Sequence, residues 1–206
     1  MTRLLRLLFI ACAALGMESL CSAQSVTYSA SMNGPSESPA NSSPGIGITV
    51  VTFDPAAHFL SVDVTFSGLT GTTTASHIHA PTTTPFTGTA AVATQVPTFT
   101  GFPLGVTSGF YSSTFDTSLA ASWNPTYITN NGGTTAGAEA AFATALAQGR
   151  AYLNIHTSTF PGGEIRGFLT VIPEPSSMLL LGAAGFGVAA LLRRRRERRQ
   201  TAARRG

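Results

Sequence analysis

The stretch Phe59-Leu-Ser-Val-Asp-Val-Thr-Phe-Ser-Gly-Leu69 alternates without a break. Leu60, Val62, Val64 and Phe66 fall on one side of an extended chain, and Ser61, Asp63, Thr65 and Ser67 on the other. Side chains in a strand repeat every two residues, so this pattern describes an antiparallel strand with one face on a core and one in water. Gly68 ends it. The run before it, Gly45–Phe53 (GIGITVVTF), is β-branched and largely apolar. Asp54-Pro-Ala-Ala-His58 joins the two as a turn, with Pro55 suited to its second position.

Moving outward, ASHIHA (75–80), GTAAVATQV (88–96), GFYSSTFD (109–116), RAYLNIHTS (150–158) and GEIRGFLTVI (163–172) read as further strands, separated by Gly, Pro, Thr and Asn turns. One segment has a different period. In TAGAEAAFATALAQG, Ala138, Phe142 and Leu146 recur every four residues, the alanine content favours helix, and Gly149 is a natural stop. The spacing predicts an all-β domain, a sandwich or Greek-key barrel, with one short helix over about residues 136–148. Ser36–Gly45 (SESPANSSPG) reads as an exposed loop carrying the glycosylation sequon Asn41-Ser42-Ser43, whereas Asn124-Pro125-Thr126 is disqualified by its proline.

The 206 residues carry a formal charge of +3, yet position matters more than the sum. All twelve basic residues are arginine, two near the N-terminus and eight at or after Arg193. Between Gln24 and Ile172 only Arg150 and Arg166 face six acidic residues, so the domain itself is four negative. Nucleic-acid binding needs clustered cations to neutralise phosphates, and this domain has none. The N-terminal run has a basic region (Arg3, Arg6), an apolar stretch and a small-residue Cys-Ser-Ala ending, which predicts a signal peptide over 1–23. Cys12 and Cys21 both fall inside it. The exported domain is then free of thiols and disulfides, and a packed core must hold it together.

Three of the four histidines sit in two compact motifs. His77 and His79 in Ser-His-Ile-His-Ala are two apart, on one face of a strand with Ile78 on the other. Tyr152, Asn154 and His156 likewise share a face, with Leu153 and Ile155 opposite. If the last two runs form a hairpin, Glu164 and Arg166 lie beside them, giving one polar cluster of Tyr152, Asn154, His156, Glu164 and Arg166. Two readings follow. Two imidazoles two residues apart can chelate one Zn or Cu ion, with His156 as the third ligand. Alternatively the cluster is a buried hydrogen-bonded network in which Arg166 pairs with Glu164. His58, beside a turn, is expected to be exposed. No catalytic residue is assigned, because no nucleophile–base triad or phosphate loop is recognisable.

SGLTGTTTASHIHAP followed by AYLNIHTSTFPGGEIRGFL resembles the CHRD domain, over about residues 26–171. The matching positions are His77, His79, Tyr152, Asn154, His156, Gly162, Gly163, Glu164, Arg166 and Gly167. The resemblance implies an immunoglobulin-like sandwich or barrel and implies no activity. A Cu/Zn superoxide-dismutase-like enzyme is a poorer fit, since its two metals need more ligands than four histidines offer and its disulfide has no cysteines here.

The last stretch, Val171-Ile-Pro-Glu-Pro-Ser-Ser followed by Met178–Leu192 and Arg-Arg-Arg-Arg-Glu-Arg-Arg, is a different kind of sequence. Fifteen uncharged residues span roughly 22 Å as a helix, short of a hydrocarbon core of ~30 Å, and flanking serines and snorkelling arginines make up the difference. The arginines fix them on the cytoplasmic side and the domain on the far side. Pro173, Glu174 and Pro175, the apolar span and the arginine cluster resemble the PEP-CTERM sorting signal, over about 172–199. That resemblance implies a transient inner-membrane intermediate, processing by exosortase, and an organism that makes extracellular polysaccharide, a potential partner. The chain then divides into a signal peptide (1–23), a CHRD-like domain (24–171) and a sorting signal (172–199) whose transmembrane helix spans 178–192. The expected function is that of an exported, non-enzymatic protein of the envelope or extracellular matrix. The alternative is a secreted histidine-ligated metalloprotein or metalloenzyme.

Overall fold

The computed structural model describes residues 25–173. The expected signal peptide, Glu174, Pro175 and the expected span 178–192 lie outside the described residues. Among those described, no helix is long and apolar enough to cross a membrane.

Eight strands make one antiparallel sheet: β1 (Val26–Asn33), β2 (Ile46–Asp54), β3 (Phe59–Ser67), β4 (Thr73–His79), β5 (Gly109–Asp116), β6 (Tyr152–Thr157), β7 (Ile165–Phe168) and β8 (Thr170–Val171). Their order is β4-β6-β7-β1-β2-β3-β5, with β8 also paired to β1. The sheet curls into a half-barrel, so the expected all-β fold takes its barrel-like form. The two edge strands are joined through the chain leading into β5: Leu69 N donates to Thr107 O, Thr73 N to Val106 O and Gly105 N to Thr73 O. Leu60, Val62, Val64 and Phe66 of β3 all face the core and are at most 2 % exposed, as the alternation requires.

Among the described residues, two helices and one 3-10 turn (Ala120–Ser122) accompany the sheet. The expected helix is present as α2 (Thr135–Ala147), started by Thr134, whose hydroxyl accepts from Gly137 N. Its Phe142 meets Phe53 of β2 edge-on at 5.3 Å and Trp123 at 5.4 Å. The shorter α1 (Pro125–Asn130) was not expected, although its start is written in the chain: Asn124 caps Thr126 N at 2.9 Å and Pro125 occupies the first turn.

Three other readings need correction. GTAAVATQV lies along β4 but forms only isolated bridges. Thr94 Oγ1 takes the Ile78 N–H at 2.9 Å, where a strand would offer a carbonyl, so the ladder does not propagate. The closing run is broken at Leu169, which bonds to Ala151 O, before β8 pairs with β1. Nor is Ser36–Gly45 simply an exposed loop. Glu37 and Ser43 are buried, and Asn41 Nδ2 donates to Glu164 O at 3.0 Å.

Candidate metal centre

The strand registers bring the polar motifs together. His77 of β4 stands opposite Asn154 of β6, which stands opposite Arg166 of β7. His79 pairs with Tyr152, and Ala75 with His156, in the same ladder. Leu153 and Ile155 on the other face of β6 are wholly buried in the core. The polar face is covered too, by the loops around residues 36–38, 88–97 and 158–163, so His77 is 7 % and His79 8 % exposed.

The three histidines form a triangle of rings. Centroids are 5.2 Å apart for His77–His156, 5.8 Å for His77–His79 and 6.0 Å for His79–His156. One nitrogen from each ring lies within 4.8 Å of the other two. Each ring is anchored from behind by a backbone carbonyl. His77 Nε2 donates to Pro97 O at 2.5 Å, His79 Nδ1 to Ala90 O at 2.8 Å and His156 Nδ1 to Pro161 O at 2.8 Å. A carbonyl can only accept, so these bonds put the proton on the anchored nitrogen and the lone pair on the other. The remaining nitrogens, His77 Nδ1, His79 Nε2 and His156 Nε2, are buried and lack a hydrogen-bond partner among the described residues. Burial lowers the pKa of all three rings below the usual imidazole value, that of His79 to about 4. They are therefore neutral at pH 7, with lone pairs free.

Around the triangle stand the residues that hold it. Tyr152 stacks flat on His79, centroids 4.9 Å apart, and its hydroxyl accepts from Ala90 N at 3.3 Å. The Arg166 guanidinium lies 4.8 Å above the Tyr152 ring, bonds to Ser36 O and donates to Gly88 O at 2.9 Å. Its acidic neighbour is Glu37, 3.7 Å away, and not Glu164. Burial pushes the Glu37 carboxyl up to about 7 against the opposing pull of Arg166. Nothing in Ser-Glu-Ser-Pro marked Glu37 as part of this cluster, because it comes from a loop more than a hundred residues away from its partner.

Glu164 belongs to a separate assembly. It is fully buried and accepts from Ser43 Oγ (2.5 Å), Thr157 Oγ1 (2.6 Å), Thr70 N (2.5 Å) and Gly71 N (3.1 Å). It lies one residue before β7, outside the regular alternation, and bonds to Thr157 on the far side of β6 from the histidines. His58 is half exposed, as expected, but it is not idle: its Nδ1 donates to the buried Glu139 of α2 at 2.8 Å.

The CHRD domain family model matches residues 28–169, and the PEP-CTERM protein-sorting motif matches residues 171–196. The sorting motif implies processing by an exosortase-type enzyme and membrane-associated sorting toward the cell envelope. No curated protein and no solved structure matches the chain.

Proposed function

Because the chain belongs to the CHRD domain family and carries a PEP-CTERM motif behind that domain, we propose that it is an exported envelope or matrix protein whose domain binds a Zn or Cu ion through His77, His79 and His156, and binds it without turning over a substrate. The observation that carries this reading is a trio of buried imidazoles with ligand nitrogens within 4.8 Å of one another, each ring keeping one nitrogen without a hydrogen-bond partner among the described residues. A buried acceptor left unpaired costs about 1–3 kcal/mol. Three together are therefore a poor resting arrangement for a protein and a good one for a cation. Zn–N bonds of about 2.0–2.1 Å in a tetrahedral set place the nitrogens roughly 3.4 Å apart. The ligand nitrogens already lie within 4.8 Å of one another, so an ion has only a short contraction to impose.

The carbonyl anchors behind each ring supply what a metal-binding imidazole needs: a fixed tautomer and a more basic free nitrogen. Imidazole ligands suit Zn and Cu among the common divalent ions. Burial of His77 and His79 supports a binding role over a catalytic one, since little space is left for a substrate beside the ion. The test is the metal content of the exported protein purified from its host. About one Zn or Cu per chain is expected, and its loss in a His77→Ala/His79→Ala variant that still folds. A folded wild type that contains no metal and takes up neither ion sinks the reading.

A further inference from the structure

We propose that Asn154 Oδ1 is a fourth ligand to the ion, making the site three imidazoles and one carboxamide oxygen. This rests on the three-histidine reading and goes beyond it. Asn154 occupies the middle of the cluster: His77 is its cross-strand partner, and Tyr152 and His156 flank it on the same face of β6. Directly opposed side chains on a sheet have Cβ atoms about 4.5–5.5 Å apart, close enough to share one small ligand. Asn154 is 2 % exposed, and its Oδ1 is a buried acceptor with no hydrogen-bond partner among the described residues. The His79 ring belongs to the same cluster, stacked on Tyr152 two residues along β6. The nitrogen His79 has free is itself an acceptor, because its proton is committed to Ala90 O. Unpaired acceptors gathered in one buried cluster repel one another unless a cation stands among them.

The other end of the amide shows which way it faces. Gly163, with φ of 130°, packs so closely that an added Cβ would stand 2.8 Å from Asn154 Nδ2 and 2.5 Å from Glu37 Oε1. The amide nitrogen and the unpartnered carboxylate oxygen thus both border the space beside Gly163. With Nδ2 on the Gly163 side, Oδ1 is the other branch of the amide, buried and without a partner among the described residues. Carboxamide oxygen and imidazole nitrogen contain no soft sulfur donor, so the completed set selects a divalent ion, Zn²⁺ or Cu²⁺, over Cu⁺.

The experiment measures Zn²⁺ affinity by competition with a chromophoric chelator, and the electron paramagnetic resonance spectrum of the Cu²⁺-loaded exported protein. The wild type is compared with Asn154→Ala and Asn154→Asp. Asn154→Ala is expected to keep one ion per chain, bind it about 10- to 100-fold more weakly, a range borrowed from the loss of outer-shell partners, and change the Cu²⁺ hyperfine splitting. Asn154→Asp, which keeps an oxygen at the same place, should restore the affinity and covers the case in which the alanine variant fails to fold. Unchanged affinity and an unchanged spectrum in Asn154→Ala, or no recovery in Asn154→Asp, overturn the proposal while the histidine site stands. A wild type that binds no ion overturns both.

Discussion

At Glu164, four donors converge on one carboxylate that never meets water. Two are hydroxyls, Ser43 and Thr157, and two are the backbone N–H groups of Thr70 and Gly71, so a single side chain ties together the loop before β2, the loop before β4 and the end of β6. Burial opposes its charge, but the four hydrogen bonds outweigh burial and hold the pKa below its ordinary 4.5. Removing the carboxylate leaves all four donors stranded. Glu164→Ala is expected to cost about 3 kcal/mol or more, read as a lower urea midpoint at unchanged slope. The pH dependence has a definite sign. A folded pKa below the unfolded one gives stability that is complete above about pH 4.5 and fades as pH falls through the folded value. The wild type should lose stability across that acid window, and Glu164→Gln should lose less; identical acid curves would contradict the assignment. The sequence reading had placed Glu164 with the histidines by counting alternation back from Arg166. Alternation holds only inside a strand, and Glu164 stands just outside β7. Glu37, the residue that does face Arg166, carried no periodic signal at all.

Among the elements, the alternating strands and the alanine-rich helix α2 are legible, whereas α1 and the irregular run beside β4 are not. FLSVDVTFS reads as β3 because Leu60, Val62, Val64 and Phe66 meet the core in turn. Tyr28, Ala30 and Met32 of β1 follow the same rule. GTAAVATQV misled because a threonine hydroxyl replaced a backbone partner, a substitution that residue types do not advertise. The two halves of the histidine site were legible as faces of β4 and β6, but their adjacency depends on strand order. The link between the β2–β3 turn and α2 was equally hidden. His58 has a φ of 53° and donates to Glu139 Oε1, which Thr117 Oγ1 also reaches at 2.5 Å. The hydrogen bond and charge of Glu139 raise the His58 pKa above its ordinary 6.5. A raised folded pKa contributes stability that is full below about pH 6.5 and disappears as pH climbs through the folded value. Thermal midpoints should therefore decline over that interval in the wild type and decline less in His58→Gln. Because the ring is exposed, the difference will be small and will shrink with added salt.

For the whole molecule, charge and sorting agree. The domain is four negative, and eight of the twelve arginines lie behind the Pro-Glu-Pro triplet, inside or just beyond the segment matched by the sorting motif. If that motif is processed, mass spectrometry of the exported protein should find no peptide beyond about Pro175. Recovery of intact chain retaining Arg193–Arg199 from the outer envelope would contradict it. The fold also sets how freely the protein can change. All three histidines are held from behind by main-chain oxygens, those of Ala90, Pro97 and Pro161, and every amino acid has one. Exchanging the side chains at those places leaves the anchor intact, whereas adding or deleting a single residue carries the oxygen away. The site is thus recorded in the lengths of its loops and not in their letters. Descendants of this chain can respell much of the segments over the histidines, provided they keep count and keep Gly163.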